Sequence, residues 1–358
     1  MKRKLTMAIG LFAAVVGLFW WFGSTWIAQR AFDSALENTV GIDQSAKLGD
    51  GLHVYVCGSG SPMPDSARAG PCLAALAGNQ AFVFDAGSGS IRKLQRMGFP
   101  MPKIQAAFLT HLHSDHIDGI GELLLQAWVA GGRASPLPVY GPVGTDKVIG
   151  GFNSAYETDQ GYRVAHHGPQ IVQPSGFGGA AQTIALPDGT DTQVVYDKDG
   201  VKITVILVNH APIAPAFGYR IDYKGRSVTL SGDTVYSPSF VAASKGADLM
   251  LHEALNKEMI AALGKKLAER GQAKNAQIMT DIQNYHASPE DAARSAQEAG
   301  VQALVLYHLV PAPPARLIEP LFLGQAPKLF GGTLKLAKDG MIISLPAGGK
   351  AVTFSSAW

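Results

Sequence analysis

The sequence predicts a layered α/β domain, with a mixed sheet or two sheets, behind one N-terminal transmembrane helix. Three observations predict it. Short β-branched and aromatic runs alternate with helical stretches and with hairpin-like strand pairs; polar or ionisable residues recur where those runs end; and residues 5–29 contain no charged side chain. With 358 residues, 47% of them hydrophobic and 16% charged, the chain can build one large core or two small ones, which argues against a disordered or low-complexity protein. No repeat of fixed period points to a solenoid or propeller.

The opening segment, residues 1–30, begins with Lys2, Arg3 and Lys4 and has no further charge until Arg30. Such a run is long enough to cross a bilayer, and its end carries Trp20, Trp21, Phe22 and Trp26, bulky rings that suit the membrane interface. A cleaved signal peptide has a shorter apolar core and small residues at its cleavage site, so an uncleaved anchor is favoured. The positive-inside rule keeps the basic end in the cytoplasm and places the rest beyond the membrane, in a bacterium the periplasm. Residues 31–50 read as a polar linker and residues 51–358 as the folded domain. Four of the 30 basic residues and none of the 28 acidic ones lie in residues 1–30, so the remainder has a net charge of −2 and lacks the basic excess of a general nucleic-acid binder. Cys57 and Cys72 can pair in an oxidising compartment or lie as two buried thiols.

Along the domain, "LHVYVC" and "AFVFDAG" read as strands, and "KIQAAFLT" as an apolar strand that runs into the loop "HLHSDH" and a helix from about Ile117 to Gly131. "PLPVYGP" is a short strand, residues 144–158 can form a helix, and residues 165–200 read as long loops with an irregular hairpin. "VKITVILVNH", "FGYRIDY", "RSVTLSGD" and "ADLMLHEA" follow as strands, then a helix at about 288–299, the strand "ALVLYH", and closing strands from 329 onward.

The stretch "THLHSDHIDG" places His111, His113, Asp115 and His116 within six positions. Zinc takes imidazole nitrogen and carboxylate oxygen and, in a catalytic site, keeps one position open. His111 and His113 alternate on an extended segment and can face one way; the adjacent Asp115 and His116 suit a second ion. Further donors are needed, and His210, Asp233 and His308 stand at strand ends. His53 and His252 read as structural, His166 and His167 as solvated, and Asp118 as a bystander at the helix start.

These residues resemble the metallo-β-lactamase superfamily, whose HxHxDH motif stands here at His111, His113, Asp115 and His116. The resemblance spans most of residues 51–310. Within the superfamily the chain is similar to the ribonuclease Z branch and the related zinc arylsulfatases, through "GSGSPMPDSAR", "FDAGSGS", "FGYRI", "SGDT", "HEA" and "HASPEDAARSAQEAGVQALVLYH". It implies a four-layer αββα sandwich with two Zn2+ ions in an edge cleft. By position, His111, His113 and His210 would hold one ion and Asp115, His116 and His308 the other, with Asp233 between them. The branch also implies that His286 and Glu253 assist the reaction, although Leu255 stands where the family's HEAT motif has threonine. In such a site the metals make hydroxide available near neutral pH, Asp115 orients it, and His286, held by Glu253, protonates the leaving group.

The expected reaction is therefore hydrolysis of a phosphodiester or sulfate ester of a small molecule on the extracytoplasmic side, with a homodimer possible and nucleic acid unlikely. Two features argue against tRNA 3′-end processing. The anchor would remove the domain from the cytoplasm, and the interval between "FGYR" and "SGDT" has room only for a tight hairpin at Lys224 and Gly225, where many ribonuclease Z proteins carry an RNA-binding arm. The alternatives are that tRNA-processing activity, a β-lactamase or lactonase, and a membrane-tethered binding protein without turnover.

Overall fold

The computed structural model describes residues 2–358 and divides into two units, one reaching to Ala46 and the other Lys47–Trp358. The first unit is dominated by a helix at Lys2–Thr39. Its candidate span, Thr6–Thr39, has 34 residues, and an 18-residue window within it has a mean hydropathy of 1.8 with no residue buried; at 1.5 Å per residue the span exceeds a hydrocarbon core of roughly 30 Å. The polar linker expected from residue 31 is helical as far as Thr39, and Gly41, at a positive φ of 73°, follows that helix.

In the second unit, fifteen strands form two sheets. They are β1 (Gly51–Gly58), β2 (Cys72–Ala77), β3 (Gln80–Phe84), β4 (Ile104–Phe108), β5 (Leu137–Gly141), β6 (Gly179–Thr183), β7 (Thr192–Lys198), β8 (Val201–His210), β9 (Ile213–Tyr223), β10 (Arg226–Leu230), β11 (Leu249–Leu255), β12 (Ala303–Val310), β13 (Thr333–Leu336), β14 (Met341–Pro346) and β15 (Thr353–Ser356). One sheet runs β15-β14-β1-β2-β3-β4-β5-β6 and the other β13-β12-β11-β10-β9-β8-β7. Antiparallel pairing up to β3 gives way to parallel pairing through β4, β5 and β6, and the second sheet changes likewise at β10.

Strand alternation sorts the core into layers. On β1, Leu52, Val54 and Val56 point into the cluster between the sheets, and Tyr55 and Cys57 into the outer cluster on the other face. On β8, Val201, Ile203 and Val205 point inward, and Ile206 and Val208 outward. Helices Ser90–Arg96, Ile120–Val129 and Thr145–His167 cover the first sheet through Ile91, Leu94, Leu123, Ala127 and Ile149. Helices Pro238–Ser244 and Pro289–Ala299 cover the second through Phe240, Val241, Ala292 and Ala296. The result is helix, sheet, sheet, helix, as expected. Each fully buried Phe or Leu contributes about 1.5–3 kcal/mol to holding these layers together.

Three local expectations are revised. The helix from Thr145 continues to His167 rather than ending near 158, β6 and β7 occupy parts of the stretch read as loops, and the helix expected from Ile117 is a single turn, Ser114–Ile117, followed by Ile120–Val129. Cys57 and Cys72, on adjacent β1 and β2, form a disulfide. Lys224 and Gly225 both have positive φ, 45° and 76°, which makes a two-residue turn that lets β9 and β10 pair from Tyr223 with Arg226 onward. No arm protrudes there.

Candidate metal centre

The site is built at strand ends on one edge of the sandwich. Beyond β4, Thr110 is fixed by Asp85, whose carboxylate accepts both the Thr110 backbone N–H and its hydroxyl at 2.8 Å. The chain then runs extended through His111 and His113 and coils for one turn at Ser114–Ile117, which brings Asp115 and His116 round to the same cleft. Gly87 makes this turn possible, because a Cβ there would collide with the Asp115 carbonyl oxygen. His308 arrives by another device. It has a positive φ of 46°, and the β11–β12 register passes over it, from Tyr307 opposite Glu253 to Leu309 opposite Ala254. This bulge turns the His308 ring out of the ladder and into the cleft. Such a backbone costs about 1–3 kcal/mol in a non-glycine residue and is typical of functional sites.

All seven expected donors meet. Asp233 Oδ2 lies 3.4 Å from His116 Nε2, 3.5 Å from His308 Nε2, 3.8 Å from His111 Nε2 and 4.0 Å from His210 Nε2. Asp115 Oδ2 lies 3.3 Å from His308 Nε2 and 3.5 Å from His116 Nε2. Donor atoms held about 2.0–2.1 Å from a shared tetrahedral ion stand roughly 3.4 Å apart, so these separations suit a cation better than direct hydrogen bonds. The His111 Nε2 to His113 Nδ1 distance, 2.8 Å, is shorter than that spacing. Three overlapping donor sets emerge: His111, His113, His210 and Asp233 in one, Asp115, His116 and His308 in another, and Asp233, His286 and His308 in a third. His116 Nε2 and Asp233 Oδ1 are buried with no hydrogen-bond partner in the protein, an arrangement that costs energy unless something else satisfies them. The residues fit a pair of divalent ions with imidazole and carboxylate ligands.

The rings are held from behind. His116 Nδ1 lies 2.8 Å from Asp85 Oδ2, His111 Nδ1 lies 3.0 Å from Thr110 Oγ1, and His210 Nδ1 lies 2.9 Å from the Tyr285 carbonyl. Each contact leaves Nε2 facing the cleft, the bracing that metal-binding histidines need. Sequence reasoning missed Asp85, Thr110 and the Tyr285 carbonyl. The signal for Asp85 was its position, a carboxylate closing the apolar run "AFVF".

Charge sorts the donors further. Burial lowers the pKa of His111 far below the ordinary imidazole value and lowers those of His113 and His210 as well, so they stay neutral, as ligands must be. Burial also disfavours a charged His116, but Asp233 and Asp85 outweigh it and hold that imidazole well above its usual value. Against burial, His308 and His116 pull Asp233 far below the usual carboxylate value and lower Asp115 too. Without an ion, a proton on His116 supplies the positive charge that the carboxylates require.

Beside this cluster, His286 Nδ1 lies 2.9 Å from Glu253 Oε1, which also accepts the backbone N–H groups of Ala287 and Thr234. Glu253 is fully buried. Burial disfavours the charged imidazole, yet the Glu253 carboxylate, with help from Asp233, raises the His286 pKa to about 9. His286 sits just before a helix capped by Ser288 and Asp291, which anchors the segment at a gain of about 1 kcal/mol. His53 and His252 are fully buried and bond to backbone carbonyls, as a structural role requires. His166, His167 and Asp118 are exposed.

The chain matches the family described as the β-lactamase superfamily domain over residues 80–309. It is 36% identical to ribonuclease Z of Mycobacterium marinum over 290 residues, which is 80% of this chain and 96% of that protein. Human tRNase Z, short form, superposes with a TM-score of 0.58 at 21% identity, covering 82% of this chain and 99% of the other. The metallo-β-lactamase fold protein YhfI of Bacillus subtilis superposes at 0.56 and 23%, covering 83% and 100%. The two-sheet sandwich, the clustered histidines and aspartates, and these matches together make the chain a member of the metallo-β-lactamase superfamily, with homologues named ribonuclease Z.

Proposed function

We propose that the protein is a zinc-dependent phosphodiesterase that works with ribonuclease Z-type chemistry. The observation that carries this reading is the His286–Glu253 pair, 2.9 Å apart, set beside seven converging donors. His111, His113, His210 and Asp233 would hold one Zn2+, and Asp115, His116 and His308, with Asp233 shared, the second. Bound there, zinc supplies Lewis acidity and a nucleophile at neutral pH. Asp115, at the mouth of the cleft, accepts a hydrogen bond that orients the attacking water. His286, kept protonated by Glu253, presents Nε2 to the leaving oxygen and donates its proton. A proton donor already in place suits a phosphodiester, whose alkoxide leaving group needs one.

The relatives favour a second reading, cleavage of RNA. Identity of 36% over 96% of a ribonuclease Z makes nucleic acid a serious candidate substrate and weakens the expectation against it that charge suggested. The two-residue turn at Lys224–Gly225 still offers no arm to grip RNA. The sulfate-ester reading has no comparable support.

The anchor belongs to the same proposal. The apolar helix, the basic residues before it and the Cys57–Cys72 disulfide, a bond favoured outside the cytoplasm, support a membrane-tethered enzyme facing the periplasm. The zinc-loaded full chain should hydrolyse bis(4-nitrophenyl) phosphate in preference to 4-nitrophenyl sulfate and a chromogenic cephalosporin. Preference for either of those, or cleavage confined to 3′-extended tRNA, would replace the small-phosphodiester reading. A reporter fused after residue 358 that works only in the cytoplasm would reverse the topology.

A further inference from the structure

The cleft continues into a cavity of about 450 Å³. Helices Lys257–Glu269 and Ala273–Asp281 form a hairpin beside it, and Leu263 and Leu267 of the first, Ile278 of the second and Ile282 in the turn that follows line it together. Met63 also lines it, together with His286 and His308 of the cleft. None of the lining residues is a lysine, arginine, aspartate or glutamate, although the hairpin carries Lys265, Lys266, Arg270 and Lys274 on exposed positions elsewhere. Ile278 remains 51% exposed. An open apolar hollow does nothing for the fold, since its surface stays wet; it gains energy only when an apolar group displaces that water.

Its place decides which part of a substrate enters. If His286 protonates the leaving oxygen, the alcohol that departs lies against His286, and His286 lines this cavity. We infer that the substrate is a phosphodiester whose leaving alcohol carries a compact apolar group, aryl or branched alkyl, which fills the hollow between Met63 and the 257–281 hairpin. The inference rests on the proposed phosphodiesterase reading and narrows it. Hydrolysis then balances simply: the P–O bond to the apolar alcohol breaks, its oxygen takes the His286 proton, water's oxygen stays on phosphorus as a monoester, and a proton from that water restores His286. A polynucleotide leaving group would instead bring a phosphate into a hollow whose lining holds no lysine or arginine.

The test compares methyl phenyl phosphate with methyl 4-tert-butylphenyl phosphate, whose leaving phenols are of similar acidity, using the zinc-loaded full chain. Filling an apolar pocket with a few carbons changes selectivity by roughly tenfold or more. The expected result is kcat/KM at least about tenfold higher for the tert-butyl ester, with that ratio collapsing toward one in both Ile278→Asp and Leu267→Asn. Equal turnover of the two esters by the unaltered protein overturns the pocket while leaving the phosphodiesterase reading intact. If neither ester nor bis(4-nitrophenyl) phosphate is cleaved, the phosphodiesterase reading fails, and calorimetric titration with 4-tert-butylphenol reads the pocket directly. Binding that is lost in Ile278→Asp keeps the pocket as an apolar site, and absence of binding removes it.

Discussion

Asp85 Oδ2 lies 2.8 Å from His116 Nδ1, with both side chains no more than 3% exposed. The same carboxylate fixes Thr110 through two hydrogen bonds, so a single residue at the end of β3 both seats the metal-binding loop and aims one of its rings. Asp85 has a positive φ of 55°, a conformation asparagine also tolerates. Asp85→Asn should therefore fold, yet bind zinc about 10–100-fold more weakly. Competition with a chromogenic chelator measures this, and unchanged affinity would show that the contact does not support the ligand.

Zinc binding should release protons. The raised pKa of His116 comes from Asp233 and Asp85 acting against burial, so the metal-free site holds a proton at neutral pH that an ion must displace. Calorimetric titrations at one pH in buffers of different ionisation enthalpy should give heats that vary with the buffer, and zinc affinity should rise with pH. Buffer-independent heats would contradict the charge assignment.

The pH profile should depend on Glu253. His286 has its pKa raised to about 9 by that carboxylate against the penalty of burial. A group raised in this way is protonated below its folded pKa, so activity that needs the proton persists at neutral pH and is lost as pH rises through that value. Removing the charge in Glu253→Gln should move the alkaline limb of kcat to lower pH. A profile whose limb stays in place would mean that another group titrates.

Asp115→Ala should lower kcat/KM for a phosphodiester by at least about a hundredfold, since it removes both a donor and the group that orients water. His166→Ala, on an exposed position at the end of a helix, should change it less than twofold. The reverse pattern would displace the site from this cleft.

What could be read from the sequence followed from chemistry that leaves a local trace. Ionisable residues closing apolar runs, as His210 closes "ITVILVNH", marked the strand ends where all seven donors meet. Layer order was legible because β1 and β8 alternate strictly between two apolar clusters. Long-range register left no such trace. The pairing of Cys57 with Cys72 depends on an irregularity between Val56 and Gly58, and the entry of His308 depends on a bulge. Asp85 was visible only as part of a motif, because its partners lie 25 and 31 residues away. The helix through Thr39 was misread since its last turns are polar, while Gly41 is the first strong breaker. The 257–281 hairpin was overlooked because few of its apolar positions, Ile260 and Met279 among them, reach a core, while Leu263, Leu267 and Ile278 face a cavity.

The measurement closest to the central claim is the steady-state hydrolysis of bis(4-nitrophenyl) phosphate by the zinc-loaded full chain and by His286→Ala, with metal content determined on both. The account predicts two zinc ions per chain in each protein and a kcat about 10²–10⁴-fold lower in the variant. Equal rates in the two proteins, or no turnover by the fully loaded wild type, would contradict it.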